Sequence, residues 1–256
     1  MTTDLSAFLR PIAHRGLHGA PGGGAVENTI AAFDAAIAGG YGIECDLRAG
    51  RDGLPLVFHD EALDRLVVGT GPVSALDRSS IAAMPFKAAP RERIPTYADL
   101  LARVAGRVPL LVEIKSEWQP PDRAFLAAVA ATSQNYQGPL ALMSFDPAVM
   151  AAIRELAPDV ARGIVSGNYL SAEDGDHWWQ DRLSRTRAER LTHLLESGPA
   201  APHFYAYDVA SLPTPVTRYV REVDRLLVFT WTVRSAADRE TATRHADAPI
   251  FEGFAP

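Results

Sequence analysis

A single cysteine, Cys45, stands among the 256 residues, so no disulfide can form within the chain and nothing asks for an oxidising compartment. No apolar run approaches the roughly 18 to 20 residues that a membrane span needs. The stretch from Met1 to Pro11 carries Asp4 and Arg10 and holds no apolar segment of signal-peptide length. A basic excess is also missing: the net charge of -6 argues against a general nucleic-acid binder, but not against a local basic pocket for a small anion. There is no internal repeat, no low-complexity tract and no linker rich in Pro, Gly and Ser. These absences leave a cytoplasmic protein without an integral membrane segment, read as one domain over residues 1–256.

What is present is ordinary in bulk and regular in pattern. Hydrophobic residues make up 47% and charged residues 22%, enough for a large core. Short β-rich runs alternate with longer Ala-rich stretches from end to end, the pattern of βα units around a parallel sheet. The expected strands are Ile12–His14, Gly42–Leu47, Leu54–His59, Leu110–Lys115, Leu140–Phe145, Ala161–Val165, Phe204–Asp208 and Leu226–Val233. Helices are expected over Thr29–Ala38, with Asn28 as N-cap, and over Pro147–Leu156, Thr217–Val223 and Ser235–His245. Eight such strands, in a chain close to the roughly 250 residues typical of that fold, suggest a closed (β/α)8 TIM barrel. An open doubly wound sheet is the alternative. The alternation breaks twice: a small inserted lobe is expected after the third strand, over about residues 60–93, and a charged helix over Asp181–Leu195 follows Trp178-Trp179.

In such barrels the chemistry sits at the C-terminal ends of strands. Four neighbouring expected strands end in ionisable residues: His14-Arg15, Glu44-Cys45-Asp46, His59-Asp60 and Glu113-Ile114-Lys115. Residues two apart on a strand share a face, so Glu44 and Asp46 point one way and Cys45 the other, while Glu113 and Lys115 share a face. If those faces line the barrel, three carboxylates converge, and their repulsion calls for a counter-cation. An all-oxygen cage suits one Mg²⁺ or Ca²⁺. Plain rim ion pairs, Glu113–Lys115 and Asp46–Arg48, are the alternative reading. Two strand-end histidines beside the carboxylates, His14 and His59, read as a general acid and a general base, and neither has zinc-ligand spacing. Arg15 and Lys115 suit a phosphate. Three carboxylates, one divalent ion and these two cations leave one positive charge, matched to a phosphodiester.

At these residues the chain resembles the glycerophosphodiester phosphodiesterase family. The resemblance runs in order through Ile12-Ala13-His14-Arg15-Gly16, Glu27-Asn28-Thr29, Glu44-Cys45-Asp46, Asp52-Gly53, His59-Asp60, Leu63-Asp64-Arg65, Ile94-Pro95-Thr96, Glu113-Ile114-Lys115, Ser144-Phe145-Asp146 and Trp231-Thr232-Val233. It implies a (β/α)8 barrel with an insertion after the third strand, which the Asp60–Arg93 lobe fits. It also implies metal ligation by Glu44, Asp46 and Glu113, acid–base roles for His14 and His59, and phosphate contacts from Arg15 and Lys115. The implied partner is a small glycerophosphodiester, hydrolysed to glycerol 3-phosphate and an alcohol. The chain departs from the family pattern at Arg234, where Asn is usual, within Ile250–Phe254, where Thr-Asp is usual, and at Gly22-Gly23-Gly24, where Ala-Pro is common. These departures bear on the pocket mouth and the alcohol accepted.

Other features carry less. Gly22–Gly24 reads as an active-site loop, since no Lys-Ser/Thr follows it. Ser144 lacks a nucleophile elbow and is placed at the barrel mouth as a hydrogen-bond donor. Cys45 should pack against the helix layer. Trp118, Phe145 and Trp231 are candidates to wall the substrate pocket, with ordinary core the equal alternative; Trp231 is the one taken as substrate-binding. His18, His177, His193, His203 and His245 show no partner pattern and read mostly as surface residues. Two other functions fit the same residues. One is phospholipase D- or C-like action on lysolipids or phosphoinositides, approached over Val67, Val68 and Met84; the other is a catalytically silent phosphodiester-binding protein.

Overall fold

Ala-rich segments with one apolar face become helices here because each begins at a side chain that takes up a free backbone N–H. A computed structural model describes residues 4–19, 24–170, 179, 181–254 and 256. Among them, the eight α-helices start behind Thr29, Asp77, Thr96, Asp122, Asp146, Ser184, Thr214 and Ser235, every one of which accepts from an N–H of the first turn. Such caps stabilise by about 0.5–2 kcal/mol each. The first cap is therefore Thr29 rather than the expected Asn28, whose side chain has other work.

In chain order the elements are β1 (Ile12–Ala13), α1 (Ile30–Ala38), β2 (Gly42–Ala49), β3 (Pro55–Val57), α2 (Arg78–Ala83), α3 (Tyr97–Val104), β4 (Leu110–Ile114), α4 (Arg123–Gln134), β5 (Leu140–Ser144) and α5 (Pro147–Leu156). They continue as β6 (Ala161–Ser166), α6 (Arg185–Thr192), β7 (Phe204–Asp208), α7 (Pro215–Glu222), β8 (Leu227–Val233), α8 (Ala236–His245) and β9 (Ala248–Phe251). Eight strands pair in parallel, β1-β2-β4-β5-β6-β7-β8-β9, and β9 returns to β1 to close a (β/α)8 barrel. The expected fold class holds.

The membership of the barrel differs in two places. The expected third strand, Leu54–His59, is not a barrel stave: β3 runs antiparallel to the end of β2, pairing Leu47 with Val57 and Ala49 with Pro55. The eighth stave is β9, where no strand is expected from the sequence. Local pattern cannot tell a parallel from an antiparallel partner, and Pro249 inside β9 counts against a strand. The lobe does exist after β3, with its own core of Leu56, Phe58, Leu63, Val67, Leu76, Phe86 and Ile94. Val67 is fully buried there, so of the expected apolar approach surface only Val68 is strongly exposed. The charged helix is shorter than expected, α6 replacing Asp181–Leu195. Gly22, Gly23, His177 and Trp178 lie outside the described residues.

Alternation divides the core. Ile43, Cys45, Leu47, Val112, Ile114 and Leu142 face the helix layer, while Ile12, Leu111, Ala141, Met143, Phe204 and Phe229 fill the barrel. Phe8, in the short 3-10 turn Ser6–Phe8, stacks on Phe229 and plugs the bottom. The middle layer depends on a small residue: a Cβ at Gly163 would lie 2.3 Å from the ring of Phe204, which is itself packed on Phe229. Gly163→Ala is therefore expected to destabilise by about 1–3 kcal/mol through overpacking, measured by urea unfolding; unchanged stability would show that the ring has room to move.

Candidate active site

Above this packed layer the interior turns polar. Glu44 and Asp46 on β2 and Glu113 on the neighbouring β4 point inward and are buried, with Asp46 and Glu113 directly paired across the strands. Their carboxylate oxygens lie within 4.8 Å of one another. Cys45, between two of them, is buried against the helix layer as alternation requires. Of the two ion pairs of the alternative reading, Glu113–Lys115 forms at 2.6 Å, and Lys115 Nζ also reaches Asp46 Oδ1 at 2.8 Å. The other, Asp46–Arg48, does not form; Arg48, also on the cavity wall, pairs with Glu117 at 2.5 Å and donates to the His59 carbonyl.

The charges decide what this cluster can hold. Burial pushes Glu44 well above the usual carboxylate range, and Asp46 and Glu113 push it further. Burial raises Glu113 as well, against the pull of Lys115. Burial alone would also raise Asp46, but Lys115 and Arg15 outweigh it and hold that carboxyl far below its ordinary value. Three carboxylates thus face two cations, and Glu44 Oε1 is buried with no hydrogen-bond partner. A hard divalent cation is what this oxygen-only donor set lacks, so the residues fit one.

Unusual backbone brings further groups to the cluster. Arg15 adopts φ 54, a left-handed conformation costly for a side chain of its size, and so aims its N–H at Glu44 Oε2, 2.9 Å away. Gly16 follows at φ 77, where a Cβ would meet the backbone of Ala32 at 2.9 Å, so α1 packs close only over a glycine. Asn28, also left-handed at φ 56, donates to Asp46 Oδ2 at 2.8 Å. The guanidinium of Arg15 lies between Asp46, at 3.4 Å, and Glu27, at 2.7 Å.

Both histidines reach the same cavity by different routes. His14 follows β1, and its Nδ1 lies 2.7 Å from Glu252 Oε2, just beyond the neighbouring β9. A carboxylate can only accept, so Nδ1 carries the proton and Nε2, 3.9 Å from Glu44, is free to take one. His59 comes from the lobe connection after β3 rather than from a barrel strand, and its Nδ1 contacts Asp60 at 2.8 Å. Burial lowers both imidazoles, His59 to about 4, so both are neutral near pH 7. Arg65 ties the two halves together, binding Asp60 at 2.6 Å and Glu27 at 2.7 Å.

The cavity, about 520 Å³, is lined by His14, Arg15, Glu44, His59, Glu113 and Lys115. Trp118, Phe145 and Trp231 form part of its wall, as expected for pocket residues, and the last two rings meet edge to face at 5.3 Å. Ser144 is buried and donates to the Ile114 carbonyl, so it braces β4 rather than opening on the mouth. Sequence reasoning missed Asn28 as a partner of Asp46, Glu27 as a partner of Arg15, and Glu252 as a partner of His14. The first two stand in a quoted motif that could have drawn attention; Glu252 carries no local signal, because only barrel closure puts it beside His14.

Fold and site together define a protein of the (β/α)8-barrel class, with its polar groups at the C-terminal mouth. The chain belongs to the glycerophosphoryl diester phosphodiesterase family, whose profile matches residues 14–250. It is 29% identical over 178 residues to human glycerophosphodiester phosphodiesterase 1, covering 66% of this chain and 52% of that one. Over 164 residues it is 30% identical to a glycerophosphodiester phosphodiesterase of Caldanaerobacter subterraneus, covering 60% of this chain and 65% of the other. The chain thus spans about half the length of the human and bovine relatives. A phosphodiesterase from Oleispira antarctica, solved with its product sn-glycerol-3-phosphate, shares the fold at TM-score 0.71 and 21% identity, over 94% of this chain and 92% of that one. A putative glycerophosphoryl diester phosphodiesterase from Silicibacter pomeroyi does so at TM-score 0.73 and 23%, over 94% and 89%. No helix among the described residues is long and apolar enough to cross a membrane.

The frustrated carboxylates make a stability test possible. A divalent cation at one hundred times its dissociation constant should stabilise the protein by about 2.7 kcal/mol. In Glu44→Gln that gain should largely vanish, while the metal-free variant is at least as stable as the metal-free parent because one buried like charge is gone. Thermal melts with Mg²⁺, Ca²⁺ and chelator read both; an undiminished metal-dependent shift in the variant would exclude Glu44 as a ligand.

Proposed function

We propose that this chain hydrolyses glycerophosphodiesters to glycerol 3-phosphate and an alcohol, using His14 and His59 as an acid–base pair. One Mg²⁺ or Ca²⁺ would be held by Glu44, Asp46 and Glu113. The observation that carries this reading is the meeting, in one cavity, of a buried carboxylate cluster short of positive charge and two histidines that are each held by a carboxylate. When bound, the cation would offset charge developing on a phosphoryl oxygen.

The chain's own residues account for the remaining steps. Arg15 presents a planar fork and Lys115 a point charge from the cavity wall, and these hold the other phosphoryl oxygens. An entering phosphodiester brings negative charge that raises the depressed histidines toward neutral pH. Glu252 keeps the proton of His14 on Nδ1, and Asp60 does the same for His59, so each ring offers Nε2 to the substrate. One imidazole takes the proton of the attacking hydroxyl, and the other delivers a proton to the leaving alkoxide. Trp231 and Phe145 form an apolar wall for the substrate. The single buried cysteine is compatible with a reducing compartment, and a cytoplasmic location belongs to the proposal.

His14→Ala and His59→Ala should each lower turnover of glycerophosphocholine by roughly 10² to 10⁴. If they act as a pair, the double variant should lose far less than the product of the two single losses. Chelator should abolish the parent's activity and Mg²⁺ or Ca²⁺ restore it. Wild-type turnover by either single variant would make that histidine structural.

We take the nucleophile to come from outside the protein: Cys45 faces the helix layer, and Ser144 and Ser116 are committed to the Ile114 carbonyl and to Asp146. We assign it to the glycerol 2-hydroxyl of the substrate, which attacks phosphorus to give a cyclic phosphate that water opens later. A held internal hydroxyl carries up to roughly 7–11 kcal/mol of effective-molarity advantage. A 2-deoxy glycerol analogue should therefore bind as an inhibitor yet hardly turn over. Cleavage of that analogue at the rate of the natural diester would exclude internal attack and leave water as the nucleophile.

A further inference from the structure

His14 has a second face. Its Nε2 turns toward Glu44 and the carboxylate cage, while its Nδ1 turns away, to Glu252 Oε2 at 2.7 Å. On that far side stands His18, in the turn after β1, and donor atoms of His14, His18 and Glu252 all lie within 4.8 Å of one another. His18 is only part-buried as a residue, but its Nε2 is shielded from solvent and has no hydrogen-bond partner. The three donors come from adjoining chain segments: His14 N–H donates to the Phe251 carbonyl, immediately before Glu252, so β1 and β9 hold two of them in register.

This donor set is unlike the cage. Two imidazoles and one carboxylate suit zinc, whose three protein ligands are commonly completed by a water, whereas Mg²⁺ and Ca²⁺ prefer oxygen alone. We propose that His14, His18 and Glu252 form a second cation site, selective for Zn²⁺ or a similar borderline transition ion, and that filling it turns the enzyme off through His14. The proton balance explains the effect. Binding takes the Nδ1 lone pair, so the ring's single N–H moves from Nδ1 to Nε2 and no proton is released overall. Nε2, the nitrogen facing the cage, then holds a proton: it cannot accept another, and as the N–H of an uncharged ring it is a much poorer donor than imidazolium, so either role of His14 is blocked. Arg234 shares Glu252 Oε2 at 3.1 Å and opposes the ion, so occupancy is reversible rather than structural.

The inhibitory half rests on the acid–base reading of His14; the binding half does not, and the two are tested apart. Co²⁺ is titrated into the full chain with Mg²⁺ in excess, and its visible absorption reports tetrahedral nitrogen–oxygen ligation. One Co²⁺ should bind, be displaced by Zn²⁺, persist in Glu44→Gln and be lost in His18→Ala, with circular dichroism confirming that both variants are folded. In Mg²⁺-supported turnover, His18→Ala should keep the parent's activity and resist Zn²⁺. Losing a direct ligand should shift inhibition by more than the roughly tenfold that a lost outer partner costs. A Co²⁺ spectrum unchanged in His18→Ala, or one lost only in Glu44→Gln, would overturn the site. Full turnover with Zn²⁺ demonstrably bound would overturn the switch. Absence of any turnover of the parent with Mg²⁺ would count against the proposed hydrolysis while leaving the Co²⁺ result to decide the site.

Discussion

Three carboxylates buried on the inner faces of two adjacent strands set the terms for the rest of the molecule. Two like charges about 4 Å apart repel by roughly 4 kcal/mol even at an effective dielectric near 20. A barrel stave carrying two of them, Glu44 and Asp46, and a neighbour carrying Glu113, is therefore an expensive construction. The surroundings answer that cost group by group. Lys115 bridges Asp46 and Glu113, the Arg15 backbone donates to Glu44, and Asn28 donates to Asp46. What stays uncompensated, Glu44 Oε1, defines the place for a cation.

The same accounting explains the strained backbone. Arg15 and Asn28 both lie at positive φ, and the Asn28 N–H donates to the Arg15 carbonyl. The left-handed region is costly for Arg15 and tolerated by Asn28, and both are held by bonds to the cluster. The groups beyond extend the constraint outward. Arg15 leans on Glu27, Glu27 on Arg65, Arg65 on Asp60, and Asp60 on His59. A residue of the lobe is in this way tied to the first barrel strand, and the position of His59 depends on the lobe's own small core as much as on the barrel.

His14 is held from the opposite side, by the last stave. Barrel closure through β9 supplies Glu252, which fixes the tautomer of His14, and brings Arg234 and His18 to the same point. The departures from the family pattern at Arg234 and within Ile250–Phe254 thus fall on the outer coordination of one imidazole, not on the pocket mouth alone. They touch Glu252 and Arg234, beside His14, and leave Glu44, Asp46 and Glu113 in place.

Much of this was legible from residue order. Period-two alternation put Glu44 with Asp46 and opposite Cys45, and Glu113 with Lys115, while the pairing of β2 with β4 is what brought the three carboxylates to one face. The Ala-rich periodic stretches specified helices for equally local reasons, although the one cap read from sequence, Asn28, gave way to Thr29. Partners distant in sequence were not legible. The sequence by itself determined which side chains would face the barrel and what chemistry they offer. Tertiary structure decided that Leu54–His59 folds back antiparallel, that Ala248–Phe251 is the closing stave, and that Glu252 meets His14 across 238 positions of chain. The reason is physical: facing is a property of the local backbone, whereas pairing is settled only when the barrel closes and every buried donor and acceptor must find its partner at once.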